Sequence, residues 1–216
     1  MQVLPVFRKL SPFSMLLKRA LDLILAFLSL PLVLPMIAII GILIKWETPG
    51  PIFYIQERFG KNKSRFPCLK FRTMHQEHQG ILVNYLKSHP ESQQEFQIYQ
   101  KLRGDDPRIT RIGNILRKSS LDELPQIFNV FLGQMSLVGP RPYLPREEEK
   151  LGQAIHAILS MKPGITGLWQ VSGRNNLSFQ QRIDLDCQYV AQWSFLLDFK
   201  IMAKTFYVVI TAEGAY

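Results

Sequence analysis

Residues Leu23–Ile44, LILAFLSLPLVLPMIAIIGILI, form a run of 22 residues without a charged side chain. At a rise of about 1.5 Å per residue, a helix of this length crosses the hydrocarbon layer of a membrane. Pro31 and Pro35 lie in the middle of the run, where each removes a backbone donor and bends a helix. The run is therefore predicted to be a membrane helix with a break at Pro35.

Positive charge flanks this run on both sides. Residues 1–75 contain 11 Lys and Arg against 3 Asp and Glu, whereas residues 76–216 contain 15 against 14. A spanning helix keeps most of its nearby positive charge on the cytoplasmic side. Charge on both sides favours a re-entrant helix, which enters and leaves the membrane by the same face. A single helix that spans the membrane remains the alternative. The position of the charge also favours membrane lipids over nucleic acid as the anionic partner.

The rest of the chain is predicted to be mainly helical, with a short β-hairpin. The hairpin is formed by residues 52–58 and 66–73. The predicted helices are amphipathic segments with capping or periodic apolar residues: 90–102, 109–118, 120–132, 146–161, 179–192 and 195–210. Residues 136–142 and 162–173 are predicted loops. The last helix carries aromatic residues beside lysines, which suits either a helix at the membrane interface or one packed in the core.

Ser120 and Glu123 form a capping-box pattern at the start of the predicted helix 120–132, and Asp122 and Glu123 are adjacent carboxylates in its first turn. Such a pair is consistent with simple helix capping, worth about 0.3–1 kcal/mol. Neighbouring side chains on a helix point about 100° apart, so the two carboxylates cannot approach a bound substrate in the same way. The chemical alternative is therefore that one attacks phosphorus while the other holds Mg²⁺.

Cations surround this acidic pair in the sequence. A loop held between Pro140 and Pro142 presents Arg141, whose guanidinium is suited to phosphate oxygens. Further basic residues lie upstream and in the hairpin: Lys70, Arg72, Arg108, Arg111, Arg117 and Lys118. Such a set would bind a diphosphate and keep the carboxylates ionised. The common nucleotide-binding and hydrolase motifs GxxxxGK[ST], GxGxxG, HExxH and GxSxG do not occur in the sequence.

Several long motifs, in one order, resemble those of the bacterial sugar transferases, which are monotopic polyprenyl-phosphate phosphoglycosyl transferases. The resemblance runs from Lys18 to the C-terminus. The segments that carry it are KRALDL (18–23), GPIFYIQERFGKN (50–62), LKFRTM (69–74), the long block 106–142 that ends in GPRP, KPGITGLWQVSGR (162–174) and the terminal GAY (214–216). Many members have Ser before the helix-breaking proline, where this chain has Leu34.

The resemblance implies a fold and a function. The fold would be a monotopic membrane protein with a re-entrant helix in residues 1–48, interfacial amphipathic helices, and a catalytic domain in 49–216 on the cytoplasmic face of the bacterial inner membrane. The enzyme would transfer a hexose 1-phosphate from a UDP-sugar to polyprenyl phosphate and release UMP. This is the first membrane step of exopolysaccharide, O-antigen or glycoconjugate synthesis.

The resemblance also implies roles for individual residues. Asp122 would form the covalent aspartyl intermediate, and Glu123 would support Mg²⁺, with Asp122 beside it. The substrate phosphates would be bound by Arg141 between Pro140 and Pro142 and by four supporting cations: Lys70, Arg72, Arg117 and Arg174. The sequence leaves open which sugar is used and whether the protein is a homodimer.

Two other functions remain open at this point. A non-enzymatic protein that binds at the membrane surface would tolerate the loss of Asp122, whereas the transferase would lose all turnover. A phosphatase or pyrophosphatase acting on the same lipid would release free sugar phosphate or inorganic phosphate in place of UMP.

Overall fold

A computed structural model describes residues 11–99, 102 and 106–211. The fold is mainly helical, as predicted. The helices are α1 (Pro12–Glu47), α2 (His78–Ser88), α3 (Pro90–Tyr99), α4 (Arg111–Ser119), α5 (Gln126–Phe131), α6 (Glu148–Leu151), α7 (Ala154–Ile158), α8 (Phe179–Gln192) and α9 (Phe195–Thr211). The strands are β1 (Phe53–Phe59), β2 (Arg65–Phe71), β3 (Ser136–Val138) and β4 (Gly164–Thr166). The terminal GAY motif lies outside the described residues.

Helix α1 contains the apolar run and continues through Pro31 and Pro35. The predicted break at Pro35 is therefore wrong as an interruption of the helix. Each proline removes one backbone donor, but the helix packs against the rest of the protein on both sides of the two prolines, through Ala26 and Val33 and then Ile40. Within the described residues, α1 is the one helix long and apolar enough to cross a membrane.

The N-terminal end of α1 is attached to the rest of the fold by buried polar contacts. The ammonium group of Lys18 lies 2.6 Å from Asp198 in α9. Asp22, one turn along α1, lies at the limit of an ion pair with Lys18, at 4.0 Å. Asp22 instead accepts hydrogen bonds from the hydroxyl of Ser136 at 2.7 Å and the amide of Leu137 at 3.2 Å. Because unpaired buried charge is costly, these contacts fix this end of the helix.

The C-terminal end of α1 is attached to the same folded body. The carboxylate of Glu47 accepts hydrogen bonds from the amides of Arg111 and Ile112, at 2.6 and 3.0 Å, and so caps α4. Between its two ends, α1 buries one face against the body, and its exposed face is apolar: Leu28, Leu32 and Ile42 are each 68 % exposed. Both ends of the apolar helix therefore contact one polar body.

Strands β1 and β2 form the predicted antiparallel hairpin, with Tyr54 opposite Lys70 and Arg58 opposite Phe66. Phe66 and Cys68 pack into the core with α1 and α5, while Phe71 packs against Ile40 and Ile44. Both cysteines of the chain, Cys68 and Cys187, are buried and free. The hairpin thus fixes Lys70, which lies between the half-buried Leu69 and the buried Phe71, close to the helix pair α4–α5.

Four of the predicted segments differ in the structure. The predicted loops 136–142 and 162–173 contain β3 and β4, which pair in parallel through Ser136 with Gly164 and Val138 with Thr166. The predicted helix 146–161 is divided into α6 and α7, because Gly152 has a positive φ of 51° between them. The predicted helix 120–132 is a single 3₁₀ turn followed by α5.

Helix α9 has two unlike faces. Ile201 and Val208 are buried in the core, whereas Leu196, Phe206 and Tyr207 are 63, 74 and 61 % exposed. The helix therefore packs against the core on one side and leaves aromatic residues on the other. Its exposed face is suited to a membrane interface.

Candidate active site

Asp122 and Glu123 lie in the 3₁₀ turn Leu121–Glu123, between α4 and α5. Ser120 ends α4 in the left-handed conformation, with a φ of 58°. Its hydroxyl accepts a hydrogen bond from Arg174 and does not cap a helix, so the predicted capping box is not formed. Leu121 and Leu124 pack into the core on either side of the turn. The two acids are therefore held on the outer side of a short, anchored turn.

Lys70 contacts the two carboxylates unequally. Its ammonium group lies 2.6 Å from Glu123 Oε1 and 3.9 Å from Asp122 Oδ2. The side chains of Lys70, Asp122 and Glu123 are 22, 16 and 31 % exposed. The structure thus brings three of the predicted site residues together and pairs the lysine mainly with Glu123.

The two carboxylates differ in their proton affinity. Burial raises the pKa of Asp122 to about 6, against the opposing effect of Lys70 and with a further increase from Glu123. Burial would also raise the pKa of Glu123, but the charge and hydrogen bond of Lys70 outweigh it, so the pKa of Glu123 is lowered. Glu123 is therefore ionised at neutral pH, whereas Asp122 is a largely buried carboxylate that gains or loses a proton near pH 6.

Arg117 is placed beside the acidic turn by the packing of α4 on the hairpin. Its Nε donates a 2.9 Å hydrogen bond to the hydroxyl of Thr73. The backbone of α4 passes so close to this residue that a Cβ on Gly113 would lie 2.1 Å from Thr73 O. Only glycine fits at that position, so this close contact fixes the distance between Arg117 and the hairpin.

The Pro-Arg-Pro loop is held by backbone hydrogen bonds on both sides. The amide of Gly139 donates to Thr166 O, and the amide of Gly164 donates to Pro140 O, both at 2.9 Å. Arg58, from β1, donates from its guanidinium to Pro142 O at 2.9 Å. The loop therefore continues the β3–β4 pair and is attached to the hairpin that carries Lys70.

Asp186 of α8 completes the support of this loop. Its Oδ2 accepts from the amide of Arg141 at 3.1 Å and from the hydroxyl of Tyr143 at 2.8 Å. Asp186 is fully buried, and burial raises its pKa to about 7 although both contacts and the Arg141 charge lower it. This one carboxylate thus fixes the backbone on which the Arg141 side chain depends.

The guanidinium of Arg141 lies 5.2 Å from the ring centre of Trp169 and 5.8 Å from that of Tyr143. Flat contacts of this kind restrict an arginine without using its outer N–H groups. Its nearest carboxylate contact is Glu147 at 4.0 Å. Its charge also helps to lower the pKa of Glu123. Arg141 therefore shares the electrostatic environment of the acidic pair.

The remaining predicted cations are placed differently. Arg174 reaches the acidic turn through Ser120, as described above. The guanidinium of Arg72 donates to the backbone oxygens of Thr48 and Pro49 and to the hydroxyl of Thr48, and so closes the end of α1. Arg72 lines the same cavity as the other cations. Its role in binding substrate stays a prediction, since these contacts give it a structural role.

Sequence reasoning missed Arg58 and Asp186. Arg58 was counted among the charges that flank the apolar run, but it is 92 % buried and its charge acts on Glu123. A signal existed, because Arg58 shares a face of the hairpin with Lys70 and Tyr54 at alternate positions. Asp186 had no such signal, since nothing in a helix sequence shows which loop a buried acid will contact.

A large open cavity of about 1560 Å³ lies in front of the acidic pair. Nine Lys and Arg side chains line it against three Asp and Glu: Lys70, Arg72, Arg108, Arg111, Arg117, Lys118, Arg141, Arg146 and Arg174, with Asp106, Asp122 and Glu123. Aromatic side chains from β1, α2 and α3 form other parts of the wall, including Tyr54, Tyr85 and Phe96. A cavity of this charge favours a ligand that carries several negative charges.

Asp122 and Glu123 are also the candidate ligands for a metal ion. No group of three or more His, Cys, Asp or Glu side chains is placed to hold a metal among the described residues. Mg²⁺ is commonly held by one or two carboxylates together with substrate phosphates and water. Two adjacent carboxylates in a large, cationic cavity fit that arrangement. They are too few to hold the ion without ligands from substrate or water.

The chain is similar to known proteins over nearly its whole length. The model of the family described as bacterial sugar transferase matches residues 13–212. The exopolysaccharide production protein ExoY of Sinorhizobium fredii is 42 % identical over 205 residues, which cover 95 % of this chain and 90 % of that protein. The UDP-galactose-lipid carrier transferase of Erwinia amylovora is 44 % identical over 94 % of this chain and 42 % of its own length.

A third relative is the undecaprenyl-phosphate galactose phosphotransferase of Salmonella typhimurium, which is 41 % identical over 94 % of this chain and 42 % of its own length. The matched region contains the acidic turn, the Pro-Arg-Pro loop and the hairpin lysine described above. The chain therefore belongs to the bacterial sugar transferase family and is an enzyme of the phosphoglycosyl transferase class.

Proposed function

We propose that this enzyme transfers a hexose 1-phosphate from a UDP-sugar to polyprenyl phosphate through a covalent intermediate on Asp122. The observation that carries the proposal is the 3.9 Å separation of Asp122 from Lys70, at the edge of a cavity lined by nine cations. Both substrates are anions, so catalysis depends mainly on neutralising charge and positioning the reacting atoms. The names of the relatives support a UDP-sugar, undecaprenyl phosphate and exopolysaccharide synthesis.

In the first step, a carboxylate oxygen of Asp122 attacks the β-phosphorus of the UDP-sugar. The bond between that phosphorus and the bridging oxygen breaks, and the electron pair leaves with UMP. The product is an acyl phosphate that carries the sugar. Lys70 and Arg117 are placed beside the turn to neutralise the phosphate oxygens, and Arg141 supplies an ordered guanidinium from its loop.

In the second step, a phosphate oxygen of polyprenyl phosphate attacks the same phosphorus. The bond to the Asp122 oxygen breaks, the carboxylate is restored, and the sugar leaves on a polyprenyl diphosphate. No net proton change is required, because an anion attacks and an anion leaves. Dividing the transfer in this way means that the soluble donor and the lipid acceptor need not occupy the site together.

Mg²⁺ is part of the proposal, with Glu123 as its principal protein ligand and Asp122 beside it. When bound, the ion would neutralise charge on the diphosphate. Glu123 suits this role because its lowered pKa keeps it ionised. Only one carboxylate oxygen of Glu123 is available to the ion, because Oε1 forms an ion pair with Lys70 at 2.6 Å.

We also propose that α1 is re-entrant and that the enzyme lies on the cytoplasmic face of the inner membrane. The support is the contact of both helix ends with one polar body, through Lys18 with Asp198 and through Glu47 with Arg111. A helix that crossed the bilayer would place these two ends on opposite sides. A polar body attached to both would then have to lie in hydrocarbon, which is strongly unfavourable.

The covalent step is tested by incubating the enzyme with UDP-sugars in the absence of lipid. The expected result is stoichiometric UMP and an increase in intact mass equal to one hexose phosphate, with neither product from Asp122→Asn. Release of inorganic phosphate or free sugar phosphate would favour the phosphatase alternative. An Asp122→Asn variant with full biological activity would favour the non-enzymatic alternative.

The topology is tested with single cysteines at the exposed positions Ser11 and Lys45, close to the two ends of α1. Cys68 and Cys187 are buried and react slowly with an added reagent. A membrane-impermeant maleimide applied from the cytoplasmic side is expected to label both positions. Labelling of the two positions from opposite sides contradicts re-entry.

A further inference from the structure

The acceptor in the proposed reaction has two unlike parts that must be accommodated together. Its phosphate has to reach Asp122, while its long hydrocarbon chain is stable only in lipid or against apolar protein surface. An enzyme at the membrane surface therefore needs an apolar path between its catalytic cavity and its membrane face. This inference rests on the proposed function and asks where that path lies.

Two exposed apolar residues of the described chain also line the cavity. The large exposed apolar side chains lie mainly on α1 and α9, outside the cavity. The two that belong to both sets are Phe53 and Tyr54 at the start of β1, which are 38 and 48 % exposed. Ile55 follows them and is 60 % exposed. The name lipid edge is used below for Phe53 and Tyr54.

The lipid edge adjoins the reacting groups on one side. Tyr54 lies directly opposite Lys70 in the antiparallel pair. Side chains in such a pair stand on the same face of the sheet, with Cβ atoms about 4.5–5.5 Å apart. Lys70 in turn contacts Glu123 at 2.6 Å and Asp122 at 3.9 Å. An anion bound by Lys70 would therefore have Tyr54 as its apolar neighbour.

On its other side, the lipid edge adjoins the membrane helix. Ile52, the preceding residue, packs so closely on α1 that a Cβ on Gly41 would lie 3.3 Å from Ile52 Cδ1. On either side of Gly41, Ile39 and Ile42 are 58 and 68 % exposed. Through Ile52, the lipid edge is thus attached to α1 beside the exposed apolar residues of that helix.

We infer that Phe53 and Tyr54 form the binding site for the first isoprene units of polyprenyl phosphate and guide its phosphate to Lys70. The hydrocarbon chain continues from this edge along the exposed face of α1 into the bilayer. The site combines an ammonium group with adjacent apolar side chains, so it selects an isoprenoid monophosphate over a soluble phosphate. UDP-sugar carries no hydrocarbon chain and gains nothing from the edge.

The test measures the two half-reactions of Tyr54→Ala separately. The first is UMP release in a single turnover without lipid, and the second is transfer from the preformed adduct to undecaprenyl phosphate in detergent. Loss of a buried aromatic contact is expected to reduce the second rate, at acceptor concentrations below KM, about tenfold relative to the first. Tyr54→Phe keeps the apolar ring and is expected to restore transfer, which excludes a role for the hydroxyl.

Phe206→Ala is the matched control, because Phe206 is 74 % exposed on α9 and does not line the cavity. It also loses an exposed aromatic side chain, so it reports any general loss of membrane or detergent binding. The inference is overturned if Tyr54→Ala loses both half-reactions equally or loses neither, or if Phe206→Ala loses as much transfer as Tyr54→Ala. Failure of the wild-type enzyme to release UMP or form the adduct overturns the proposed function itself.

Discussion

Lys70 holds Glu123 at 2.6 Å but leaves Asp122 at 3.9 Å, so one lysine divides two adjacent carboxylates into unlike groups. The ion pair keeps Glu123 ionised, whereas burial raises the pKa of Asp122 to about 6. A carboxylate with this pKa is more basic than a free aspartate and is still largely ionised at neutral pH. The asymmetry supports Asp122 as the nucleophile and Glu123 as its charged neighbour.

The rate of UMP release is expected to depend on pH through Asp122. Only the ionised carboxylate attacks phosphorus, so the single-turnover rate should be constant above about pH 7 and fall towards tenfold per unit below about pH 6. The measurement is UMP release without lipid between pH 5 and pH 8. A rate that is independent of pH over this range contradicts the assignment.

Lys70→Gln is expected to move this pH dependence upwards. The lysine opposes the rise in the pKa of Asp122, so its removal should increase the apparent pKa by about one unit or more and lower the rate at pH 7. The same pH series measures the shift. Lys63→Gln is the control, because Lys63 forms an exposed ion pair with Glu148 and should leave the profile unchanged. An unshifted profile in Lys70→Gln argues against coupling between the lysine and Asp122.

Asp122→Asn is expected to stabilise the protein while it abolishes turnover. The pKa of Asp122 is higher in the folded state than its ordinary value of 3.8, so the folded state binds the proton more tightly. Its ionisation therefore destabilises the fold as pH rises from about 4 to above 6. At pH 7 the variant should gain about 1–3 kcal/mol in the free energy of unfolding.

Thermal unfolding in detergent at pH 4 and pH 7 measures this effect. The gain should be large at pH 7 and small at pH 4, where the carboxyl group is protonated in the folded state and about half protonated in the unfolded state. A variant that is less stable than the wild type at pH 7 contradicts the assigned direction.

Asp186→Ala is expected to weaken UDP-sugar binding by displacing the Arg141 loop. It removes the acceptor for the Arg141 amide and the Tyr143 hydroxyl, and each lost hydrogen bond is worth about 0.5–1.5 kcal/mol. The KM for UDP-sugar should rise about tenfold or more. Asp186→Asn keeps an acceptor oxygen and should recover much of the loss. Equal KM values in both variants and the wild type exclude a positioning role.

Glu47→Gln is expected to destabilise the junction between α1 and α4. The carboxylate accepts from the first two amides of α4, and glutamine keeps one acceptor oxygen but loses the negative charge at the helix N-terminus, which costs about 0.3–1 kcal/mol. Chemical denaturation compares this variant with Glu57→Gln, which loses only an exposed ion pair with Arg65 and should change by less than 0.5 kcal/mol, a rough limit for surface substitutions. Identical losses in the two variants indicate that the cap contributes nothing.

Periodic local patterns predicted the parts of the fold that depend on near neighbours. The hairpin β1–β2, helix α8 and helix α9 follow from alternating or helical spacing of apolar residues and have nearly the predicted bounds. The capping box at Ser120 and Glu123 was wrong, although its pattern was clear. Ser120 adopts a left-handed conformation and contacts Arg174, which is 54 residues away, so a tertiary contact replaces the local cap.

Site residues could be predicted where the residue type and the surrounding motif together indicate a chemical role. Asp122, Glu123, Lys70 and Arg141 could be named from the sequence, and the structure brings them around one cavity. Asp186 could not, because its role depends on the position of a loop 45 residues earlier. Arg72 was predicted as a supporting cation, but its three hydrogen bonds to Thr48 and Pro49 depend on the end of α1, which the motif does not describe.

The buried pair of Lys18 and Asp198 also orders events during synthesis of the protein. The two residues are 180 positions apart, so at about 5–20 residues per second the ribosome needs about 10–40 s to produce the acid after the lysine. During that interval the ammonium group lacks the carboxylate of Asp198 and favours the aqueous surface. The charge thus retains the start of the nascent helix at the membrane edge until α9 is synthesised, and only then can the buried ion pair form.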